Sequence, residues 1–306
     1  KGSIKNSGIE LALSGDIIST EIFNWNAYGS YSYNKVSIEK LGLEKSQFGS
    51  AGEFVGYYGR PIQVSNTNTV PTNVYLEGEA PGLFFGFETD GIITAADIAS
   101  GYPTINGIPA QEGFYKLIDK NNDGNITNED KIIIGDPNPD FIVSFGTGLE
   151  YRNWSLSASF YGVMGNDIYN ANYLTENYSA ENRYNNVRES YYQNAYSPEN
   201  PTGTLPAINL QKSTLNEVGV LDVAVSDGSF LRLQNISLGY AIPINPKSKI
   251  SGFKLFASMS NVFTWTNYNG VEPEISSLRF TPGVAGVDIA TPPNQKTVTI
   301  GGSINF

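Results

Sequence analysis

Apolar and polar side chains alternate with a period of two in several segments of this chain, which is typical of a β-strand with two unlike faces. In the last segment, 297–306, apolar residues or Gly occupy the even positions, and Thr, Gly, Ser and Asn occupy the odd ones. Similar alternation runs through 9–17, 23–34, 141–150, 154–162 and 253–260. In 230–240 the phase changes near Gln234, which predicts a β-bulge there. About seven amphipathic strands are therefore predicted, and the predicted fold class is all-β.

The connections between these predicted strands are alternately short and long. The long connections are 35–139, 165–227 and 261–296. Tight turns on one side and long loops on the other are typical of an outer-membrane β-barrel. Loops of this length are unusual inside a compact soluble domain. The pattern predicts part of an antiparallel transmembrane outer-membrane β-barrel in which these three connections are extracellular loops.

The two faces of the predicted strands differ in composition. The charges in the six regular strands are Glu10, Asp16, Glu150 and Lys254, and all of them lie on the polar face. Ser, Asn, Gly and Tyr fill the rest of that face, in place of the Lys and Glu of an ordinary wetted sheet. Because a soluble sandwich also alternates, a secreted β-sandwich that binds glycan or calcium is the alternative interpretation. Solubility without detergent would distinguish the two.

Composition excludes several classes of function. The 306 residues carry a formal charge of −11, which argues against nucleic acid as a partner, and they contain neither Cys nor His. Disulfides, thiolate metal sites and His-based catalytic triads are therefore excluded within this chain. Paired carboxylates of a glycosidase remain conceivable, but no motif indicates them, so no enzymatic activity is predicted. Since the chain begins at Lys1 without a signal sequence, we expect it to be processed or to be a piece of a longer protein.

Residues 119–130, DKNNDGNITNED, match the twelve-residue calcium loop. The predicted ligands are Asp119, Asn121, Asp123, Asn125 and Asp130, with Asn125 contributing its backbone carbonyl. Gly124 permits the sharp turn at position six, and Asp130 stands where calcium loops usually have Glu. An Asn/Asp/Gly turn without a metal is the alternative interpretation, and the sequence leaves both open.

Aromatic residues suggest two further roles. In the Tyr- and Asn-rich segment 161–196, the candidates for stacking on a substrate are Tyr169, Tyr173 and Tyr178, although Tyr also serves as a filler in packed loops. Trp25, Trp154 and Trp265 lie near predicted strand ends, where they could form interfacial belts. Ordinary loop packing is the alternative for these tryptophans, for Trp265 above all.

Seven stretches spread over nearly the whole chain carry a family resemblance. They are NWNAYGSYSYNKV (24–36), EGEAPGLFFGFETDGI (77–92), DKNNDGNITNEDKIIIGDPNPDF (119–141), FYGVMGNDIYN (160–170), DGSFLRLQNISLGYAIP (227–243), SNVFTWTNYNGVEPE (260–274) and the terminal strand. In this order they resemble the C-terminal part of the SusC/RagA-like TonB-dependent transporters of the Bacteroidetes.

The resemblance implies import of oligosaccharides or peptides across the outer membrane. It also implies a SusD-like surface lipoprotein as the partner and TonB as the source of energy. The family's plug domain and TonB-contacting segment have no counterpart in residues 1–306, so we expect this chain to be the C-terminal third of a transporter. Barrels of this type need roughly 22 strands, so seven cannot close alone. Phe306 resembles the C-terminal aromatic that signals assembly in outer-membrane proteins, and we expect it to be buried at the periplasmic rim.

Overall fold

A computed structural model describes residues 2–42, 49–51, 54–59, 62–63, 69–173, 189–208, 219–245, 249–275, 285–289 and 291–306. In chain order its strands are β1 (Ser3–Ser19), β2 (Phe23–Lys40), β3 (Gly49–Ala51), β4 (Phe54–Tyr58), β5 (Ile62–Gln63), β6 (Thr69–Val70), β7 (Asn73–Leu76), β8 (Leu83–Gly86), β9 (Thr89–Ile92), β10 (Thr104–Ile105), β11 (Tyr115–Leu117), β12 (Asn125–Ile126), β13 (Ile132–Gly135), β14 (Phe141–Tyr151), β15 (Trp154–Met164), β16 (Asp167–Asn170), β17 (Val225–Asp227), β18 (Phe230–Ile242), β19 (Gly252–Thr266), β20 (Val287–Asp288) and β21 (Thr297–Asn305). The helices are α1 (Ala95–Ala99), α2 (Glu189–Asn194) and two 3₁₀ turns, Asn128–Asp130 and Asp222–Ala224. None of the described helices is long and apolar enough to cross a bilayer.

Seven long strands form one antiparallel sheet in the order β1-β2-β14-β15-β18-β19-β21. They are the seven strands predicted from the alternation, and each pairs with its predecessor among them. Within the described residues, β1 and β21 each have a neighbour in this sheet on one side only. The described strands therefore form an open section of wall.

The boundaries of β1 and β2 differ from the prediction. The first hairpin continues to the pair Ser3 and Lys40, well past the amphipathic segments. Beyond Ile9 and Tyr33 both faces of the hairpin become mainly polar, so alternation no longer marks the strand, while the backbone ladder continues. The alternation pattern alone therefore underestimates the length of these two strands.

The predicted bulge in β18 is confirmed. The register of β18 slips between Leu233 and Asn235, against both β15 and β19, which leaves Gln234 without a partner in the register. On the facing strand, Asn261 has a φ of 52°, in the left-handed region. The bulge restores the phase, so that Leu233 and Ile236 share one face of the sheet.

One face of the sheet is apolar across all seven strands, and we call it the apolar face. Its members, followed through the cross-strand pairs, include Ile9, Leu11, Leu13, Tyr31, Tyr33, Val143, Phe145, Leu156, Phe160, Leu231, Leu233, Ile236, Leu238, Leu255, Ala257, Met259, Val298, Ile300 and Ile304. Much of this face is uncovered, with Leu13 exposed by 81% and Ile300 by 82%. An exposed apolar surface that spans seven strands is stable only against an apolar partner. This is the arrangement of a β-barrel wall that faces lipid.

Aromatic side chains border the apolar face at both ends. At the end with the short turns, Trp154 and Tyr240 pack with their ring centroids 4.6 Å apart. At the other end, Trp265 and Phe263 lie 4.8 Å apart. Trp25, the third residue of β2, lies opposite Leu149 and donates its indole N–H to Thr147 Oγ1 at 2.9 Å. Trp154 and Trp265 thus lie on strands at opposite ends of the apolar face, and their place in interfacial belts stays a prediction.

The three long connections fold together above the sheet. Their described parts, within 41–140, 165–229 and 267–296, share one hydrophobic core, and we call this unit the loop domain. The core takes Phe84 and Phe114 from the first connection, Tyr169 and Val220 from the second, and Val287 from the third. A three-stranded sheet, β17-β16-β20, also joins the second connection to the third. Short strands, helical turns and a shared core thus hold the described parts of the long connections together.

The C-terminal strand pairs as predicted, and its last side chain lies at an edge of the sheet that has no second neighbour among the described residues. β21 runs antiparallel to β19, with Thr297 opposite Ser260 and Ile304 opposite Phe253. Phe306, which we expected to be buried, is 89% exposed. The physical reason is that β19 is the only strand beside β21 among the described residues, so no second neighbour covers the ring.

The parity of the sheet leads to a direct test in the full-length protein. Arg at Ala158 or Ala257, on the apolar face, should destabilise the fold by ~2–4 kcal/mol if the position lies near the bilayer midplane. Arg at Ser157 or Ser258, one residue earlier or later on the polar face, should cost much less. Denaturant unfolding in lipid vesicles measures the difference, and equal losses at both parities would contradict the lipid-facing assignment.

Candidate functional site

The face opposite the apolar face is lined by short polar side chains, and we call it the polar face. Its members include Ser14, Asn26, Ser30, Ser144, Ser157, Ser159, Asn235, Ser237, Ser258, Ser260 and Thr299. Some bond across strands, as Ser30 Oγ and Ser144 Oγ do at 2.7 Å. Short hydroxyl and amide groups hydrogen-bond to water and leave the space in front of the sheet open. A face of this kind suits the hydrated interior of a barrel.

A buried cation occupies the upper end of the polar face. The side chain of Arg232 on β18 is only 4% exposed, and its guanidinium ion-pairs with Glu272 and with Glu274. Its Nη1 donates to Glu274 Oε2 at 2.7 Å, and its Nε donates to Thr264 Oγ1 at 3.0 Å. Because its donors face oxygen partners on two carboxylates and a hydroxyl, the charge is compensated despite its burial.

The two carboxylates also accept hydrogen bonds from the far end of the third connection. Glu272 accepts from the backbone N–H of Asn294 through Oε2 at 3.1 Å, and Glu274 accepts from the Asn294 side chain at 3.3 Å. Further along, Tyr268 Oη donates to Asp288 Oδ2 at 2.7 Å. Burial and this hydrogen bond raise the pKa of Tyr268. Both arms of the third connection are thus held against β18, over the polar face.

Removing the guanidinium should release this connection. In the full-length protein we expect Arg232→Met to leave Glu272 as a buried unpaired charge and to destabilise the fold by about 3 kcal/mol. Lys120→Met, which breaks the more exposed pair with Glu88, should cost less than about 1 kcal/mol. Denaturant unfolding, with proteolysis of 267–296 as a local readout, compares the two variants. Equal stability and equal cleavage would show that Arg232 does not hold the connection.

The calcium-type loop folds as a series of side chain-to-backbone turns. Asp119 Oδ2 accepts from Gly124 N at 2.9 Å, and Asn121 Oδ1 accepts from Asp123 N at 2.9 Å. Gly124 has a φ of 83°, the left-handed conformation expected for the turn glycine. Asp119 Oδ1 is buried and has no hydrogen-bond partner among the residues that the structure describes. That oxygen is a free anionic acceptor in an otherwise satisfied turn.

Asp130 does not occupy the role predicted for it. The residue is fully buried, and its carboxylate accepts from three backbone N–H groups: Lys120 at 2.8 Å, Asn121 at 3.3 Å and Thr127 at 2.7 Å. Thr127 and Asp130 form a capping box at the 3₁₀ turn Asn128–Asp130. Closure of a metal site by Asp130 is therefore wrong for this structure, because its oxygens already serve the backbone.

The remaining members of the loop do not assemble a carboxylate cage. Within the described residues, no group of three or more His, Cys, Asp or Glu side chains is placed to hold a metal ion. The side-chain oxygen of Asn125 accepts from Thr104 Oγ1 at 2.8 Å and from Gly107 N at 2.7 Å, so its backbone carbonyl is what it can offer a cation. A cation here would depend on Asp119 together with amide and carbonyl oxygens.

The tyrosines proposed as stacking platforms belong mostly to the loop-domain core. Tyr169 is fully buried, with its ring centroid 5.9 Å from that of Phe84, so it has no free face for a substrate. Stacking by Tyr169 is therefore wrong for this structure. Tyr173 is half-buried against the same core. Tyr178 lies outside the described residues.

Lys131 and Asp167 are among the ionisable groups of the loop domain whose pKa values are shifted, which the sequence did not indicate. Burial lowers the pKa of Lys131 to about 8, and its Nζ lies 5.2 Å from the centroid of the Phe87 ring. Burial also raises the pKa of Asp167, partly offset by a hydrogen bond from the Asp136 backbone, while the charges of Asp136, Asp227 and Asp140 raise it further. Burial is the leading cause in both cases, so we attribute these shifts to packing in the loop domain.

Comparison with known proteins shows likeness along the whole chain. No family model matches the sequence. All of the chain aligns at 28% identity with TonB-dependent receptor P3 of Formosa agariphila and at 25% identity with TonB-dependent receptor SusC of Bacteroides thetaiotaomicron. It covers only 29% and 27% of those proteins.

Solved structures show the same fold. The RagAB peptide importer in its open-open state matches with a TM-score of 0.69 and 22% identity, over 100% of this chain and 29% of that one. Its closed-closed state matches with a TM-score of 0.69 and 22% identity, over 98% of this chain and 29% of that one. The chain therefore spans less than a third of each of these proteins.

Proposed function

We propose that this chain, whose predicted resemblance to the C-terminal part of the SusC/RagA-like TonB-dependent receptors is confirmed, forms part of the wall of an outer-membrane importer. The complete protein would take up oligosaccharides or peptides with energy delivered by TonB through its N-terminal part. A SusD-like surface lipoprotein would be its partner on the side of the loop domain. Relatives named SusC and RagAB support this assignment.

The observation that carries the proposal is the sheet with two unlike faces. Across the seven described strands, the apolar face has no charged residue between the row of Ile9 and Tyr33 and the row of Tyr151 and Trp154. The polar face carries hydroxyls and amides in the same rows. Lipid on one side and water on the other would stabilise this distribution. A soluble β-sandwich, our alternative, would instead bury its apolar face beneath a second sheet.

Both candidate classes of substrate are polar and need hydrogen-bonding surfaces. The polar face supplies hydroxyls and amides that suit sugar hydroxyls and peptide groups alike. One of the matched structures is described as a peptide importer, and that description applies to that protein. We therefore keep oligosaccharides and peptides as the proposed substrate classes.

Uptake by whole cells tests the proposed function. Cells that express the complete protein with its partner lipoprotein should accumulate labelled oligosaccharides or labelled peptides. Loss of TonB should abolish the accumulation, because the proposed transport is driven from the inner membrane. Accumulation that persists without TonB, or none of either substrate class, would contradict the proposal.

The terminal residue provides a test of assembly. We expect removal of Phe306, or Phe306→Asp, to lower the outer-membrane yield of the full-length protein strongly, because β21 must pair on both sides in a closed barrel. Ile108→Asp, at an exposed apolar position of the loop domain, is the matched control and should leave the yield unchanged. Outer-membrane fractionation and heat-modifiable mobility on gels are the measurements. Unchanged yield without Phe306 would mean that this strand does not close the barrel.

We further propose that the loop 119–130 binds Ca²⁺ in a structural role. The buried, unpartnered Oδ1 of Asp119 supports this, since calcium prefers carboxylate and carbonyl oxygens. Asn121, Asp123 and the carbonyl of Asn125 would complete the site, and water would take the position that Asp130 leaves. The ion would add stability to the loop domain without acting in transport.

Calcium should protect this loop from proteolysis. At a concentration about a hundred times the dissociation constant, the ion should slow cleavage that requires local opening by about 100-fold. Asp119→Ala with Asp123→Ala should abolish this protection. Asp90→Ala, which removes an exposed carboxylate elsewhere in the loop domain, should retain it. Equal cleavage of the unmodified protein in CaCl₂ and in EGTA would overturn the proposal.

A further inference from the structure

The first hairpin carries two lysines directly above the apolar face. The last apolar pair of this hairpin is Ile9 with Tyr33. The next pairs on the same face are Ser7 with Lys35 and then Lys5 with Ser37. Lys5 and Lys35 are therefore the first charged residues above the apolar face, in a protein whose formal charge is −11.

These four residues form a compact patch that can hold an anion. Lys5 and Lys35 are diagonal neighbours on adjacent strands, a relation that places such side chains ~7–8 Å apart. Two flexible lysines at that separation can direct both ammonium groups to one anion, with the hydroxyls of Ser7 and Ser37 beside them. Both lysines are exposed, and neither forms an ion pair within the described part of the chain.

An open surface depression of about 610 Å³, which we call the cavity, lies lower on the apolar face, on β1, β2 and the adjacent strand β14. Gly15, Ala27 and Gly29 leave it open, and Leu13, Tyr31 and Phe145 are among the apolar side chains around it. Its upper boundary at Tyr31 is four residues below Lys35, a distance of ~13 Å along an extended strand. An apolar cavity beneath a cationic patch matches a molecule with an acyl chain and an anionic headgroup.

We propose that a phosphorylated glycolipid of the outer leaflet, of the lipopolysaccharide type, docks on this hairpin. Its phosphate binds Lys5 and Lys35, and one acyl chain fills the cavity around Gly29. The inference rests on the proposed function, because it requires the apolar face to lie in an outer membrane. Lipid is favoured over a protein partner because the patch directly adjoins the exposed side chains of Ile9 and Tyr33.

The headgroup part of the proposal is tested with the full-length receptor in detergent and purified lipopolysaccharide as the probe. Replacing both lysines, Lys5→Ser with Lys35→Ser, should weaken binding roughly 25-fold, since each lysine near an anionic lipid contributes about fivefold. The matched control is Lys249→Ser with Lys254→Ser, which removes the same charge at the opposite end of the sheet and should bind like the unmodified receptor. Enzymatically dephosphorylated lipopolysaccharide should bind the receptor and its lysine variant equally.

A separate variant, Gly29→Leu, tests the proposed acyl-chain site. A Cβ atom at Gly29 would make ordinary van der Waals contacts, at 3.8 Å to Ser144 O and 3.9 Å to Phe145 Cβ, and would meet no clash. We expect Gly29→Leu to fold and to weaken binding of the acylated lipid by filling the cavity. Equal affinity of the lysine variant and its control for the phosphorylated lipid would overturn the proposal, as would an unchanged affinity of Gly29→Leu. Outer-membrane fractionation of the unmodified receptor separates this result from a failure of the proposed function.

Discussion

The backbone ladder of the seven-stranded sheet is the interaction on which the rest of this structure depends. It joins β1, β2, β14, β15, β18, β19 and β21, each to the preceding strand of the sheet. It thereby satisfies the backbone N–H and C=O groups that hydrocarbon cannot solvate. Because side chains alternate along each strand, the ladder also sorts residues onto an apolar and a polar face. A single bulge at Gln234 keeps that sorting consistent across β18. This register positions the apolar face, the polar face and the lysines of the first hairpin.

The loop domain adds a second level of organisation to the wall. Its main core takes side chains from all three long connections and so joins them into one unit. Arg232 then ties the third connection back to the polar face through Glu272 and Glu274. Long connections built in this way can present a defined surface above the barrel rather than a set of separate flexible loops. Such a surface is what the proposed substrate or the proposed lipoprotein partner would meet first.

The calcium-type loop and the tyrosines show which features a sequence pattern could not predict. Spacing placed Asp130 at the closing ligand position, but Thr127 three residues earlier recruits it into a capping box. That competing signal was present in the sequence as a Thr three residues before an Asp. The burial of Tyr169 could not be found in the same way, because its neighbour Phe84 lies in a different connection, far away along the chain.

The sequence by itself determined the seven strands, their two faces and the bulge, because side-chain alternation is a local property that survives in any register-matched sheet. It also determined the resemblance to a family of outer-membrane receptors, through stretches such as 119–141 and 260–274. Only the tertiary structure decided the shared core of the loop domain and the burial of Arg232 and Tyr169. Those features depend on contacts between segments that are distant in sequence, and no local pattern of residues records such contacts.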